Sequence, residues 1–165
     1  MTAKGQWWRH QANFILFDSC FWIGLIGNES MHYRSFLEFY IDRTFLMPYP
    51  SFAEFLNDIP LKHELKLKIL RDVFLNKAVK IQYYKYNLTD SEKDCILNEY
   101  FSSPVKIKGA VGPNFVDIII GRIIKELNFP FAFATLNFSD FSKYGHNKKA
   151  PCWVVDFKKE DVFRW

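Results

Sequence analysis

The chain has 165 residues, of which 49% are hydrophobic and 24% charged, with a net charge of +4. That length suits one domain with one core and leaves little room for a second, and the composition excludes a disordered or fibrous chain. The mild positive excess permits a polyanionic partner without demanding one.

The first element is announced by Phe14-Ile15-Leu16-Phe17, a continuous apolar run that ends at Asp18. Such a run reads as a strand buried on both faces, as in a parallel sheet. Ser19 helps start a helix through Phe21, Trp22, Leu25 and Ile26, which Gly27-Asn28 breaks. Ser30 opens a second helical stretch with Phe36, Phe39 and Tyr40 at helical spacing. Phe45-Leu46-Met47 is another short apolar run, stopped by Pro48 and Pro50. Ser51 is placed to cap a helix containing Phe52, Phe55 and Leu56, with Glu54 in about its first turn. Leu61 to Asn76 reads as a helix with Lys62, Lys66, Lys68 and Arg71 among its apolar positions.

Val79 to Tyr84 is a strand candidate. Thr89-Asp90-Ser91-Glu92 is a capping box that opens a helix to about Phe101. Ser102 to Pro113 reads as a loop, and Asn114 then starts an apolar helix over Phe115 to Leu127 that carries Asp117. Phe131-Ala132-Phe133-Ala134 is a third buried strand, followed by Thr135-Leu136-Asn137-Phe138-Ser139-Asp140-Phe141. Cys152 to Phe157 is a late strand. Strands alternating with helices predict an α/β sandwich around a mostly parallel sheet. Sites in such sheets form beyond the carboxyl ends of the strands, and both Asp18 and the Thr135–Asp140 segment follow strands directly.

Cys20, Cys95 and Cys152 form no C-x-x-C, so neither a zinc site nor a redox pair is indicated, and free thiols in a reducing cytosol are expected. Met1 to Asn13 holds no long apolar stretch, and Asp18 interrupts the run that follows, so neither a signal peptide nor a membrane span is read there. His10, His32, His63 and His146 show no metal-ligand spacing, and no nucleophile elbow or glycine-rich nucleotide loop is present. A phosphodiester is hydrolysed slowly by water alone, and hard cations held by a few carboxylates help by neutralising the charge that develops.

Four segments in order resemble the PIN-domain nucleases, especially the VapC-type toxins of toxin–antitoxin pairs. They are Phe14-Ile-Leu-Phe-Asp18-Ser-Cys-Phe-Trp-Ile23; Ser30-Met-His-Tyr-Arg-Ser-Phe36; Leu46-Met-Pro-Tyr-Pro-Ser-Phe-Ala-Glu54-Phe-Leu56; and Asn114-Phe-Val-Asp117 with Phe131-Ala-Phe-Ala-Thr135-Leu-Asn137-Phe-Ser-Asp140-Phe141. The last ends in a T-x-N-x-x-D-F pattern. The resemblance implies a PIN-like three-layer sandwich with a mostly parallel central sheet flanked by helices. It covers about Phe14 to Phe141 in pieces, and the chain over 1–165 reads as a single domain with a short extension at 1–12 and a strand or tail at 151–165. It implies a cytoplasmic endoribonuclease that uses Mg²⁺ or Mn²⁺ held by Asp18, Glu54, Asp117 and Asp140, with Ser19, Thr135 and Asn137 orienting those acids by hydrogen bonds. The Glu54–Asp117 interval is longer than in compact members of the family. Asn137 stands where many members have an acid, so the fourth position belongs to Asp140 or to Asn137.

Each acid also has an ordinary reading. Asp18 suits a helix cap, Glu54 a helix-dipole partner, and Asp117 an ion pair with Arg122 or Lys125. Lys143, His146, Lys148 and Lys149 follow the fourth acid and are the candidates for holding substrate phosphates. The basic run from Lys62 through Arg71 to Lys77 and Lys80 reads as a solvated face or as an RNA track. Aromatic residues make up 19% of the chain, with 18 Phe, which reads as a Phe-rich core or as a stacking and partner surface. Expected partners are RNA, a second copy of the chain in a homodimer through Trp7, Trp8, Tyr33, Phe36 and Tyr40, and a cognate antitoxin, with no membrane. The alternatives are a catalytically silent PIN-like module that binds RNA or protein, and an interaction protein whose acids are only caps and ion pairs.

Overall fold

The computed structural model describes residues 11–25, 30–57, 64, 68, 70–87, 89–102, 115–146, 148–156 and 161–165. Trp7 and Trp8, Gly27-Asn28, Lys62 and Lys66, the loop after Ser102 up to Asn114, and Phe157 lie outside the described residues. Strand β1 is Phe14–Phe17, followed by helices α1 (Ser19–Gly24) and α2 (Ser30–Phe39). Strand β2 (Thr44–Pro48) runs straight into α3 (Tyr49–Asn57). Glu64 and Lys68 are helical, and a π-helical turn occupies Leu70–Phe74 ahead of β3 (Lys80–Tyr84). Then come α4 (Asp90–Ser102), α5 (Phe115–Glu126), β4 (Phe131–Ala134), the short α6 (Phe138–Phe141) with a 3-10 turn at Ser142–Gly145, and strands β5 (Cys152–Asp156) and β6 (Asp161–Arg164).

The six strands form one sheet in the order β3-β2-β1-β4-β5-β6. The first five are parallel, and β6 pairs antiparallel with β5. The tail therefore adds an edge strand of its own to the sheet.

From β1 the chain steps outward through β2 to β3, then returns to the other side of β1 and steps outward again through β4 to β5. Parallel crossovers are right-handed, so a reversal of stepping direction sends the later helices to the opposite face. Side-chain alternation along the strands follows this division. Ile15, Phe17, Phe45, Met47, Ala132, Ala134, Trp153 and Val155 join the core under α1, α2 and α3. Leu16, Leu46, Phe131, Phe133, Cys152 and Val154 join the core under α4, α5 and α6. Two cores on one sheet make the three-layer sandwich, and they explain why strands buried on both faces have no polar alternation.

Phe17 anchors the first core. Its ring stacks on Phe21 with centroids 3.8 Å apart and meets Trp22, Phe45 and Phe36 at 5.3, 5.4 and 6.0 Å. Tyr33, Phe36 and Tyr40, expected from sequence at a dimer contact, are instead buried in this core. A residue already packed against its own sheet offers no surface to a second copy, so that expectation is corrected.

The Thr89 capping box forms as read. Thr89 N–H donates to Glu92 Oε2 at 2.8 Å, and Glu92 N–H donates to Thr89 Oγ1 at 3.3 Å. The Ser51 reading fails. Helix α3 begins at Tyr49, directly after the strand, with Pro50 tolerated in its first turn. Ser51 is thus inside the helix and fully buried, and Glu54 lies in its second turn. Among the described residues no helix is long and apolar enough to cross a membrane.

Candidate functional site

The strand order reverses between β1 and β4, and the crevice beyond the carboxyl ends of two such neighbours is where a parallel sheet can hold a ligand. Asp18 follows β1 and Thr135 follows β4, in a register that pairs Phe17 with Ala134. The backbone crosses between them, since Asp18 N–H donates to the Ala134 carbonyl at 3.4 Å. Asp18 is 1% exposed and Thr135 also 1%.

Asp18 does cap α1, its Oδ1 accepting from Cys20 N–H at 2.5 Å. Its other oxygen, Oδ2, accepts from the Thr135 hydroxyl at 2.6 Å. Thr135 Oγ1 in turn accepts from Asn137 N–H at 2.9 Å. The carboxylate is thus held between two strands, and the segment leading to Asp140 is tied to the same hydroxyl. Burial raises the Asp18 pKa, the hydrogen bonds from Cys20 and Thr135 oppose the rise, and the Asp140 charge adds to it. A buried acid that resists ionisation beside a second acid is a place where a cation is welcome.

The other acids approach from separate elements. Asp117 is 7% exposed in the first turn of α5. The Cys20 thiol is pushed well up, first by burial and then by the Asp18 charge, with Asp117 contributing as well. Both acids therefore act on one side chain. Asp140 lies in α6, its N–H donating to the Asn137 carbonyl at 3.1 Å. Asn137 precedes that helix with an exposed side chain that makes no capping bond. Helix α3, which carries Glu54, packs against both α1 and α5. Glu54 is itself half-buried, and its Oε2 is shielded from solvent. Ser19 is buried at the start of α1.

The two cations on the Asp117 helix, Arg122 and Lys125, each have a contact of their own. Arg122 pairs with Glu99 at 3.1 Å, and Lys125 lies 5.7 Å from the centroid of the Tyr144 ring.

Of the expected phosphate-binding lysines, Lys148 and Lys149 lie at the other end of the sheet from Asp18. Lys149 pairs with Glu126 at the C-terminal end of α5, and its N–H donates to the Lys125 carbonyl at 3.2 Å. Pro151, two residues on, bonds Phe131 at the start of β4. Lys148 Nζ reaches the Gly145 carbonyl at 3.4 Å. Both lysines lead into β5, so they sit at the amino edge of the sheet, roughly 13 Å from the crevice by strand rise. Lys143 pairs with Glu99 at 2.5 Å on the flank of α5. For Lys148 and Lys149, nearness in sequence to Asp140 is lost as the chain runs back to begin β5, whereas Lys143 stays in the turn that continues α6. Lys77 and Lys80 share that amino edge, before and at the start of β3. Lys68, Arg71, Lys77 and Lys80 are all exposed.

Among the described residues no three His, Cys, Asp or Glu side chains stand together as a ready metal cage. Mg²⁺ does not need one, because it is commonly held by one or two carboxylates and several waters. The candidate donors are of the kind a hard cation takes: carboxylates at the cap of α1, on α5 and on α6, the first two buried, with the Cys20 thiol as the soft donor next to Asp18.

Sequence reasoning read Cys20 only as a free thiol and passed over the cluster around Glu99. Gly121 was the available signal for the latter, since a glycine inside an apolar helix often marks a close approach. No family model, curated protein or solved structure matches the chain.

Proposed function

We propose that the chain is a Mg²⁺- or Mn²⁺-dependent endoribonuclease of the PIN type. The observation that supports this reading is the reversal of strand order, which brings the positions that follow β1 and β4 side by side, with the Asp18 carboxylate bonded to the Thr135 hydroxyl. Asp18, Asp117 and Asp140 would hold the cation, with Glu54 on the adjoining α3. When bound, the cation supplies neutralisation of the scissile phosphate and a water of lowered pKa. The chain's own part is orientation. The Thr135 hydroxyl and Cys20 N–H keep both Asp18 oxygens aimed, and Asn137 N–H fixes the Thr135 rotamer. The fourth role is assigned to Asp140 because it carries a charge and is half-buried, whereas the Asn137 side chain is neutral and exposed.

Phe115 and Phe138, each 39% exposed, lie on the helices that carry Asp117 and Asp140 and pack in part against Tyr100 and Trp165. Partly exposed rings on those helices suit the stacking of unpaired bases, which favours RNA over a small phosphodiester. A cytoplasmic toxin with a cognate antitoxin, working as a homodimer, completes the proposal.

The test is cleavage of a mixed RNA pool by wild type, Asp18→Asn and Asp117→Asn purified in parallel, with Mn²⁺ or EDTA. Cleavage by wild type alone, abolished by EDTA, is expected. Equal residual cleavage by all three would mean a contaminant. The reading would then give way to a silent RNA- or protein-binding module.

A further inference from the structure

Glu99 lies outside the acid crevice, yet it gathers donors from two other elements. Its Oε1 accepts from the Tyr144 hydroxyl at 2.6 Å and from Lys143 Nζ at 2.5 Å. Its Oε2 accepts from Arg122 Nη2 at 3.1 Å. Arg122 belongs to α5, and Lys143 and Tyr144 belong to the 3-10 turn that continues α6. One carboxylate on α4 therefore ties together the two elements that carry Asp117 and Asp140. Burial alone would raise the Glu99 pKa, but Lys143, Tyr144 and Arg122 outweigh it and hold the carboxyl below its usual range. The Tyr144 hydroxyl is pushed well up, by burial first and then by Glu99.

The contact is also steric. Tyr144 is 2% exposed. A Cβ placed on Gly121 would lie 2.2 Å from its ring, so the ring rests directly against the backbone of α5. Asp117 is one turn away from that contact along the helix, and Asp140 lies one helical turn before Tyr144. A shift of α5 against α6 would move these two acids relative to each other. Outer groups that orient ligands commonly change metal affinity about 10–100-fold when removed.

We propose that Glu99 is a positioning residue for the acid crevice: through Tyr144, Lys143 and Arg122 it sets α5 against α6 and thereby the separation of Asp117 from Asp140. This inference rests on the metal-dependent reading of the crevice. Glu99 itself touches neither substrate nor cation.

Mn²⁺ is titrated calorimetrically into wild type, Glu99→Gln, Tyr144→Phe, Asp117→Asn and the Glu99→Gln/Asp117→Asn double variant. Glu126→Gln is the matched control, breaking the ion pair with Lys149 at the far end of the same helix. Glu99→Gln is expected to weaken Mn²⁺ binding by about tenfold, with Glu126→Gln unchanged. Tyr144→Phe keeps the ring on Gly121 and loses only the hydroxyl, so a smaller loss in the same direction is expected, and it serves should Glu99→Gln fail to fold. In the Asp117→Asn background Glu99→Gln should add nothing, because the ligand it positions is already gone. Mn²⁺ uptake by wild type that both Glu99→Gln and Tyr144→Phe leave unchanged sinks this proposal alone. An equal loss with and without Asp117 does the same. No uptake by wild type sinks the metal reading and this inference with it.

Discussion

Gly121→Ala offers a sharp test of the packing just described, because two well-known effects predict opposite signs. In an exposed helix interior, replacing Gly by Ala stabilises by about 1 kcal/mol through helix propensity. Here the new Cβ would lie 2.2 Å from the Tyr144 ring, too close for any real contact. Either the helix moves or the ring does. Overpacking of a filled core costs about 1–3 kcal/mol. Displacing the ring also breaks the Tyr144–Glu99 hydrogen bond, and a bond to a charged group is worth about 1.5–3 kcal/mol. Set against the propensity gain, the net expectation is a destabilisation of about 1.5–5 kcal/mol. For a chain of this size that lowers the melting temperature by roughly 3–20 °C. Thermal unfolding followed by circular dichroism reads it directly. A Gly121→Ala protein that melts at or above the wild-type temperature would refute the reasoning, since the propensity term alone would then be operating.

Asp18→Asn should leave the metal-free protein as stable as wild type or more so at neutral pH. Its folded-state pKa is raised, so the stability it contributes is complete below the unfolded value of 3.8 and declines as pH rises through the folded value; urea melts at pH 3.5 and 7 should show wild type losing ground to the variant at the higher pH. Glu92 has the opposite sign. Its carboxyl is lowered to about 2, first by the Thr89 hydroxyl, so its contribution to α4 is present above about 4.5 and lost as pH falls through about 2, and amide exchange in α4 should quicken only in that acid window. Phe17→Ala should cost about 3–5 kcal/mol in chemical denaturation, and a cost under 1 kcal/mol would mean that the stacked rings around it are not the core they form here. Lys148→Ala with Lys149→Ala should leave RNA affinity and its salt slope unchanged, since both lie at the amino edge of the sheet; a flattened slope in filter binding would return them to the substrate path.

The strands were the most legible part of the fold. Phe14–Phe17 and Phe131–Ala134 have no polar alternation because each is covered on both faces, and an unbroken apolar run of that length is too short to be a buried helix. The Thr89 box was legible because its chemistry is local: both partners lie within four residues. Ser51 failed on the same kind of evidence. A capping residue in the right place is no cap when the preceding strand passes into the helix without a turn, as β2 does at Pro48 and Tyr49. The aromatics at Tyr33, Phe36 and Tyr40 were misread for a different reason. Helical spacing reveals that they share a face but not what that face meets, and here it meets the sheet.

The lysines carry the more general lesson about reading a site in a parallel sheet. Every strand of such a sheet points the same way, so each connection leaves from the carboxyl edge and returns to the amino edge. Residues just after a strand therefore belong with the site, and residues just before one belong at the other end. Asp18 after β1, and Thr135 and Asn137 after β4, satisfy the first condition. Lys148 and Lys149, just before β5, satisfy the second, and this was open to inspection once Cys152 was read as the start of a strand. Asp117 obeys a complementary rule. A helix returning antiparallel to the strands begins at the carboxyl edge, so an acid in its first turn arrives beside the strand ends, while Glu126 in its last turn is carried about 14 Å away. The same helix thus starts one acid at the carboxyl edge of the sheet and takes another to pair with Lys149. What sequence position alone left undetermined was how firmly α5 sits against its neighbours. That depends on a carboxylate from α4 and a ring from the turn after α6, side chains 45 residues apart that meet only in the folded chain.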